Sequence, residues 1–247
     1  MNAPHPPMIS IVIPTLNEER LLERMLGQFP PLLRRTENVE IVVSDGGSRD
    51  RTLEIARRHG CLVVERRDGE KENISTGRNR GARRSRGDLL VFLNADTLLE
   101  NAPAFLERVR AEASRPGVAA VTCGVRVYPW EEGPSDRRFH SFTNWLFRLM
   151  NTVGMGMGRG ECHVMLRSTF ERVRGYAVGI AAGEDYDMFR RLRRLGKVSF
   201  LGDVTVYESP RRYRRYGYGL VSASWLLNFL AVFLLRRSIL DEWKPVR

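Results

Sequence analysis

A chain of 247 residues with 43% hydrophobic content can bury a sizeable core, which excludes wholesale disorder and leaves room for one large α/β domain or two small ones. Its 40 Lys and Arg against 29 Asp and Glu give a formal net charge of +11, so an anionic partner is expected: a phosphorylated ligand, nucleic acid or an acidic membrane surface. Cys61, Cys123 and Cys162 are few and widely spaced, which excludes a disulfide scaffold and fits a reducing compartment.

Met1 to Pro7 is polar and proline-rich, and the apolar run Met8 to Ile13 is too short for a signal-peptide core, so a cytoplasmic location is expected. Ile9 to Pro14 reads as a buried strand ended by proline, which cannot donate to a sheet ladder. Thr15 to Glu19 opens a helix, with Asn17 as its N-cap and Leu21, Leu22, Met25 and Leu26 as its apolar face. Pro30-Pro31 closes that helix. Val39 to Ser44 is the second strand, and it runs into Asp45-Gly46-Gly47-Ser48-Arg49-Asp50, where two glycines permit a tight turn beside a ligand. Asp50 or Ser48 can cap the next helix, which Gly60 ends, and Cys61 to Glu65 form a third strand. Asn73 to Arg86 reads as a helix of small residues and arginines.

Gly87-Asp88 leads into Leu89 to Leu93, an unbroken apolar run of the kind found in a strand covered on both faces. It stops at Asn94-Ala95-Asp96. Open parallel sheets bind ligands at the carboxyl ends of their strands. A carboxylate there, two residues after an Asn, can hold a hard divalent cation together with a diphosphate. The plainer alternative is a strand followed by a helix cap. Four strands alternating with helices make a nucleotide-binding α/β half, and right-handed crossovers line Pro14, Asp45 and Asn94 along one edge of its sheet.

Farther on, Asn101 to Arg115 reads as a helix, Val118 to Val127 as a strand, and Glu131 to Arg138 as a polar loop. Phe139, Phe142, Trp145, Leu146, Leu149 and Met150 recur at helical spacing; such a stripe packs on a core or touches lipid or a greasy acceptor. Gly154 to Gly160, with alternating glycine and two methionines, reads as a mobile loop, either an acceptor loop or an ordinary connection. Glu161 to Arg167 is a strand whose His163 is expected to be structural. Asp185 to Leu195 is an amphipathic helix, and Lys197 to Leu201 and Asp203 to Tyr207 are short strands. Ser209 to Tyr216 interleaves arginine with tyrosine. Its Arg211, Arg212 and Tyr213 suit a diphosphate or acceptor clamp, and the same pattern suits a membrane-interface belt, a nucleic-acid contact or a solvated basic surface. Gly219 to Leu235 has no charged residue and lies between Arg214-Arg215 and Arg236-Arg237. It is slightly short for a span, so a helix lying in the plane of the headgroups is expected; a buried or homodimer-forming helix is the alternative.

Taken in order, Ser10 to Glu18, Val42 to Asp50, Gly77 to Ala82, Gly87 to Asp96 and Gly183 to Leu192 resemble the family 2 glycosyltransferases. The resemblance implies the GT-A fold: a single Rossmann-like α/β domain with a mostly parallel central sheet and helices on both faces. It spans residues 1–208, with a nucleotide-sugar half (8–97) and an acceptor half (98–208); residues 209–247 form a basic segment and an apolar, membrane-associated helix. It also implies a nucleoside-diphosphate sugar donor, with Pro14, Thr15 and Glu18 against the nucleotide, Asp45 reading the base, and Arg78 holding base or diphosphate. Asn94 and Asp96 fill the positions usually written Asp-x-Asp, where Mn2+ or Mg2+ and the ribose are held. The Asn in first place adds no negative charge. Asp185 matches the catalytic base of an inverting transfer, beside Glu184. Glu208 stands where many relatives carry a His near the metal and is a candidate oxygen ligand.

The acceptor expected from this resemblance is lipid-linked or otherwise membrane-proximal, which places the protein peripherally on the inner face of the cell membrane. A nucleic-acid-binding α/β protein is the alternative prompted by charge, but it leaves Asp45, Asn94, Asp96 and Asp185 without a role, and no nucleic-acid partner is expected. A nucleotidyltransferase on a similar sheet calls for a Gly-rich phosphate loop with a Lys near the first strand, and Thr15 to Glu18 offers none.

Overall fold

The computed structural model describes residues 7–69, 72–180 and 182–235. The amino-terminal half alternates strand and helix: β1 (Ile9–Thr15), α1 (Glu19–Gly27), α2 (Pro31–Thr36), β2 (Val39–Asp45), α3 (Thr52–Arg58), β3 (Leu62–Glu65), α4 (Ile74–Arg84) and β4 (Leu89–Leu93). Each of β2, β1 and β4 pairs in parallel with its neighbour, so their carboxyl ends fall on one edge. The second half adds β5 (Leu98–Leu99), α5 (Ala102–Ala113), β6 (Val118–Val127), α6 (Pro134–Thr152), β7 (Cys162–Leu166), α7 (Arg167–Arg172), α8 (Glu184–Arg193), β8 (Lys197–Glu208) and α9 (Arg211–Leu235).

All eight strands join one sheet in the order β3-β2-β1-β4-β7-β6-β8-β5. The pairings of β7 with β4 and β6, and of β5 with β8, are antiparallel, so the sheet is mixed. Alternate side chains feed two cores. Ile9, Ile11, Ile13, Val91 and Leu93 pack with α1 and α5 on one face, and Val12, Leu90 and Phe92 pack with Met188 and Phe189 of α8 on the other. A central strand supplying both cores must be apolar at every position, and all five residues of β4 are buried. Gly81 of α4 lies so close to β1 that a Cβ would come within 2.4 Å of Val12 Cγ1.

Several local expectations are corrected. Pro31 starts α2 rather than ending the chain's first helix, since proline at the first helical position loses no needed N–H. Asn17 is not a cap: it turns left-handed (φ 52°), and its Oδ1 accepts from the Arg49 N–H (2.7 Å). Asp50 takes over, accepting from the backbone N–H groups of both Glu19 and Thr52 at two helix starts. The polar loop is shorter than expected because Pro134 opens α6. The two short strands near 200 are one, β8, with an irregular register against β6.

The aromatic stripe of α6 is covered only in part: Phe139 lies against Tyr213, Tyr218 and Trp225, while the middle of the stripe faces solvent. Phe142 and Trp145 are more than half exposed, and Leu149 is 43% exposed. The buried side is mostly polar, with Asp136, His140, Thr143 and Asn151 beside Phe147, and partners satisfy most of its polar groups. Asp136 binds Arg214 (2.5 Å), Asn144 binds both backbone groups of Val125 (2.9 and 3.0 Å), and Asn151 clasps the backbone of Met157 (2.7 and 2.8 Å). That clasp also pins the glycine-methionine loop expected to be loose. His163 is structural as expected, fully buried with Nδ1 2.6 Å from the Tyr176 hydroxyl.

Candidate active site

A cleft of about 760 Å³ opens over the carboxyl ends of β1, β2 and β4. Pro14, Thr15 and Glu18 line it from the end of β1, and Asn94 and Asp96 from the end of β4. Arg78 enters from α4, Glu184 and Asp185 from the first turn of α8, Glu208 from the end of β8, and Arg211, Arg212 and Tyr213 from the start of α9. Residues from five separate stretches of sequence therefore share one cavity. Arg236 and Arg237, expected to flank the apolar helix, lie outside the described residues.

Asp45 does not line the cleft. It is 1% exposed, and its carboxylate organises the following loop: Oδ1 accepts from the Thr15 and Ser48 hydroxyls, and Oδ2 from the Gly47 and Ser48 N–H groups (both 2.8 Å). The loop needs Gly47 at φ 101°, a conformation that side chains resist. What faces the cleft from this region is Gly46, Gly47, Arg49, Arg66 and Glu72.

Arg78 is likewise fully enclosed. Its Nη1 donates to Glu184 Oε1 (2.9 Å), and its Nη2 donates to Asn94 Oδ1 (3.2 Å) and the Gly160 carbonyl (2.6 Å). It thus ties the end of β4 to the start of α8. Arg211 reaches over the opening, donating from Nη2 to both Glu18 Oε1 (3.0 Å) and Asp96 Oδ2 (3.2 Å).

Burial raises three carboxyls of the cleft. Burial, then the charge of Glu184, holds the Asp185 carboxyl well above the usual carboxylate range. Asp96 is raised by burial, with Arg211 opposing and Glu161 adding to the rise. Glu208 is raised by burial and by Glu161, although its Oε1 accepts from Arg159 (2.5 Å) and the Tyr213 hydroxyl (2.9 Å). Glu161 and Arg159 are site residues that pattern reading passed over. A signal was there: they are the two formal charges in the stretch from Leu149 to Leu166, set around one glycine.

Among the described residues, no three His, Cys, Asp or Glu side chains gather closely enough to hold a metal on their own. The donor set is a partial one. Asn94 gives its oxygen to Arg78, Glu208 gives one oxygen to Arg159, and Asp96 faces the cleft beside other buried carboxylates. Such a set fits a hard cation that completes its shell with phosphate oxygens.

The sequence profile of Glycosyl transferase family 2 matches residues 10–174, and the chain belongs to that family. Undecaprenyl-phosphate 4-deoxy-4-formamido-L-arabinose transferase of Pseudomonas paraeruginosa is 37% identical over 146 residues, which is 52% of this chain and 39% of that protein. Validoxylamine A glucosyltransferase of Streptomyces hygroscopicus subsp. limoneus is 33% identical over 123 residues, 49% of this chain and 27% of the relative. The chain thus spans well under half the length of these relatives. Among solved structures, a mannosyltransferase of Pyrobaculum calidifontis in complex with GDP-Man and Mn2+ superposes with a TM-score of 0.72 at 20% identity, covering 94% of this chain and 65% of the other. Glucosyl-3-phosphoglycerate synthase of Mycobacterium tuberculosis, with Mn2+ and UDP, gives 0.62 at 19% identity, covering 93% and 80%. These likenesses establish the GT-A fold.

Proposed function

We propose that this protein transfers a sugar from a nucleoside-diphosphate donor to a membrane-proximal acceptor by an inverting displacement. The observation that carries the proposal is that Asp96 and Asp185, from opposite halves of the chain, line the same cleft. The nucleotide lies along Pro14, Thr15 and Glu18, with its base toward the Gly46–Glu72 side. Asp45 and Arg78 act by positioning, Asp45 through the loop and Arg78 through Asn94 and Glu184. Asp96, with Asn94 and Glu208 nearby, would hold Mn2+ or Mg2+, which would supply positive charge to a departing diphosphate. Arg211 and Arg212 add charge that grows in value as the leaving group forms. Asp185 takes the proton from an acceptor hydroxyl.

Membrane proximity is supported by α9, which carries an apolar window only 22% buried, although Gly217 (φ 73°, ψ 156°) is not helical and divides the stretch into two helices. Leu226, Leu227, Leu230 and Phe233 are exposed on it. With Arg215 near its start, and Arg214 paired instead with Asp136, it suits a helix resting at anionic headgroups on the inner face of the cell membrane. A homodimer through α9 is the competing cover for the same face; flotation with anionic liposomes, as against concentration-dependent dimerisation, separates the two. The test of the chemistry is Asp185→Asn: turnover is lost while nucleotide-sugar affinity stays. Normal turnover in that variant removes the assignment.

A further inference from the structure

We propose that α9 also builds the acceptor subsite: Trp225 and Asn228, with Tyr186 and Phe147, select a hydroxyl-bearing head group on an apolar body rather than a phosphate. This deepens the glycosyl-transfer reading and rests on it.

Asn228 interrupts an apolar helix, yet it is only 3% exposed. Its Nδ2 donates to the Ser224 carbonyl (2.9 Å), which fixes the orientation of the amide. Its Oδ1 has no partner, although the residue lines the same cleft as Asp185. Buried acceptors left without a donor are rare, and one facing a ligand cavity marks a missing donor. The place is close to the chemistry: Asn228 lies against Gly183, where an added Cβ would stand 3.8 Å from Asn228 Cβ, and Asp185 follows two residues later.

Glu161 lines the same cleft, where it pairs with Arg159 (Nε 3.4 Å from Oε2) and shares a hydrogen bond with the Glu208 carboxyl. The enclosed Asn228 oxygen beside this cavity calls for a ligand that brings donors. A sugar or polyol hydroxyl brings them. A phosphate dianion brings only acceptors and places its charge beside Glu161, Glu184 and Asp185. Arg212 lines the cleft too, and it is the group a phosphate acceptor would use.

The walls suit an amphiphile. The Trp225 ring is fixed by Phe139 (5.9 Å), by the edge of Tyr213 (6.3 Å) and by Arg159 over its face (5.4 Å). Tyr186 is fixed edge-on by Phe229 (5.5 Å). Leu226 and Leu227, the residues between Trp225 and Asn228, are exposed, which gives an apolar tail a surface to follow out of the cleft.

The test is calorimetric, on the full chain, with octyl β-glucoside as the hydroxyl-headed probe and farnesyl phosphate as the phosphate-headed one. Wild type binds the glucoside more tightly. Asn228→Leu weakens glucoside binding about tenfold, as expected for loss of one enclosed hydrogen bond, and Asn228→Ser, which keeps an oxygen, stays within about threefold. Nucleotide-sugar affinity is unchanged in both variants, which also shows that they are folded. Equal glucoside affinity in wild type and Asn228→Leu overturns the proposal, as does tighter binding of farnesyl phosphate. Absence of nucleotide-sugar binding in the wild type instead removes the glycosyl-transfer reading beneath it.

Discussion

Arg78 and Glu184, 106 residues apart in sequence, meet beneath the cleft with Nη1 2.9 Å from Oε1, and neither side chain is more than 10% exposed. The pair joins the strand end that carries Asn94 to the helix start that carries Asp185. Breaking one side of such a pair leaves a buried charge uncompensated. Arg78→Met is therefore expected to lower unfolding stability by about 3–5 kcal/mol, read from urea midpoints. Arg78→Lys rescues only part of this, because a single ammonium cannot reach Glu184, Asn94 and the Gly160 carbonyl with the geometry of a guanidinium fork.

Arg211 bridges Glu18 and Asp96 at the mouth of the cleft, where it is partly exposed. Arg211→Ala is expected to leave stability within about 1 kcal/mol, the usual scale for a part-exposed pair. Turnover falls about 10²-fold, since the leaving diphosphate loses a positive neighbour. Mn2+ affinity, measured by calorimetry, rises in the variant because Asp96 loses its competing cation. EDTA abolishes turnover in the wild type, and added Mn2+ restores it.

Burial and Glu184 hold the Asp185 carboxyl above the usual range, so the base form is reached only at higher pH than for an ordinary carboxylate. The acid limb of the kcat/KM profile, which reports the free enzyme, is expected above that range. Glu184→Gln removes a like charge from Asp185 and leaves Arg78 positive beside it, so the limb moves to lower pH. A limb that stays in place excludes Asp185 as the group being read.

Much of this arrangement was legible in the sequence. Apolar runs, unbroken in β4 and interrupted once by Ser10 in β1 and by Glu40 in β2, located these strands, and short turns after them put Thr15, Asn94 and Asp96 on one rim. The face that α6 turns to solvent was not legible, since periodicity reports which side is apolar and not what covers it. Its polar side is buried because Asp136, Asn144 and Asn151 find partners outside the helix, on Arg214, Val125 and Met157. The same limit hid the enclosure of Asp45 and Arg78: a motif names a residue type at a strand end, while hydrogen bonds to Ser48, Glu184 and Gly160 decide whether it faces the ligand.

Glu112 of α5 offers a test of the second half of the chain by stability alone. Burial raises its pKa, but the Ser199 hydroxyl, Arg108 and Arg115 outweigh that and hold it at about 2. A group whose folded pKa is depressed stabilises the fold above its unfolded value and loses that contribution as pH falls through the folded value. Stability is therefore expected to drop between the ordinary glutamate range and about pH 2. Glu112→Gln, less stable at neutral pH, shows a shallower drop over the same window in urea titrations.

The most direct measurement is a calorimetric titration of the full chain with UDP-, GDP- and dTDP-sugars, each with and without Mn2+. At least one donor is expected to bind with micromolar affinity, more tightly when the metal is present and more weakly in Asp96→Asn. If none of the donors binds under either condition, the cleft is not a nucleotide-sugar site and the account of sugar transfer fails.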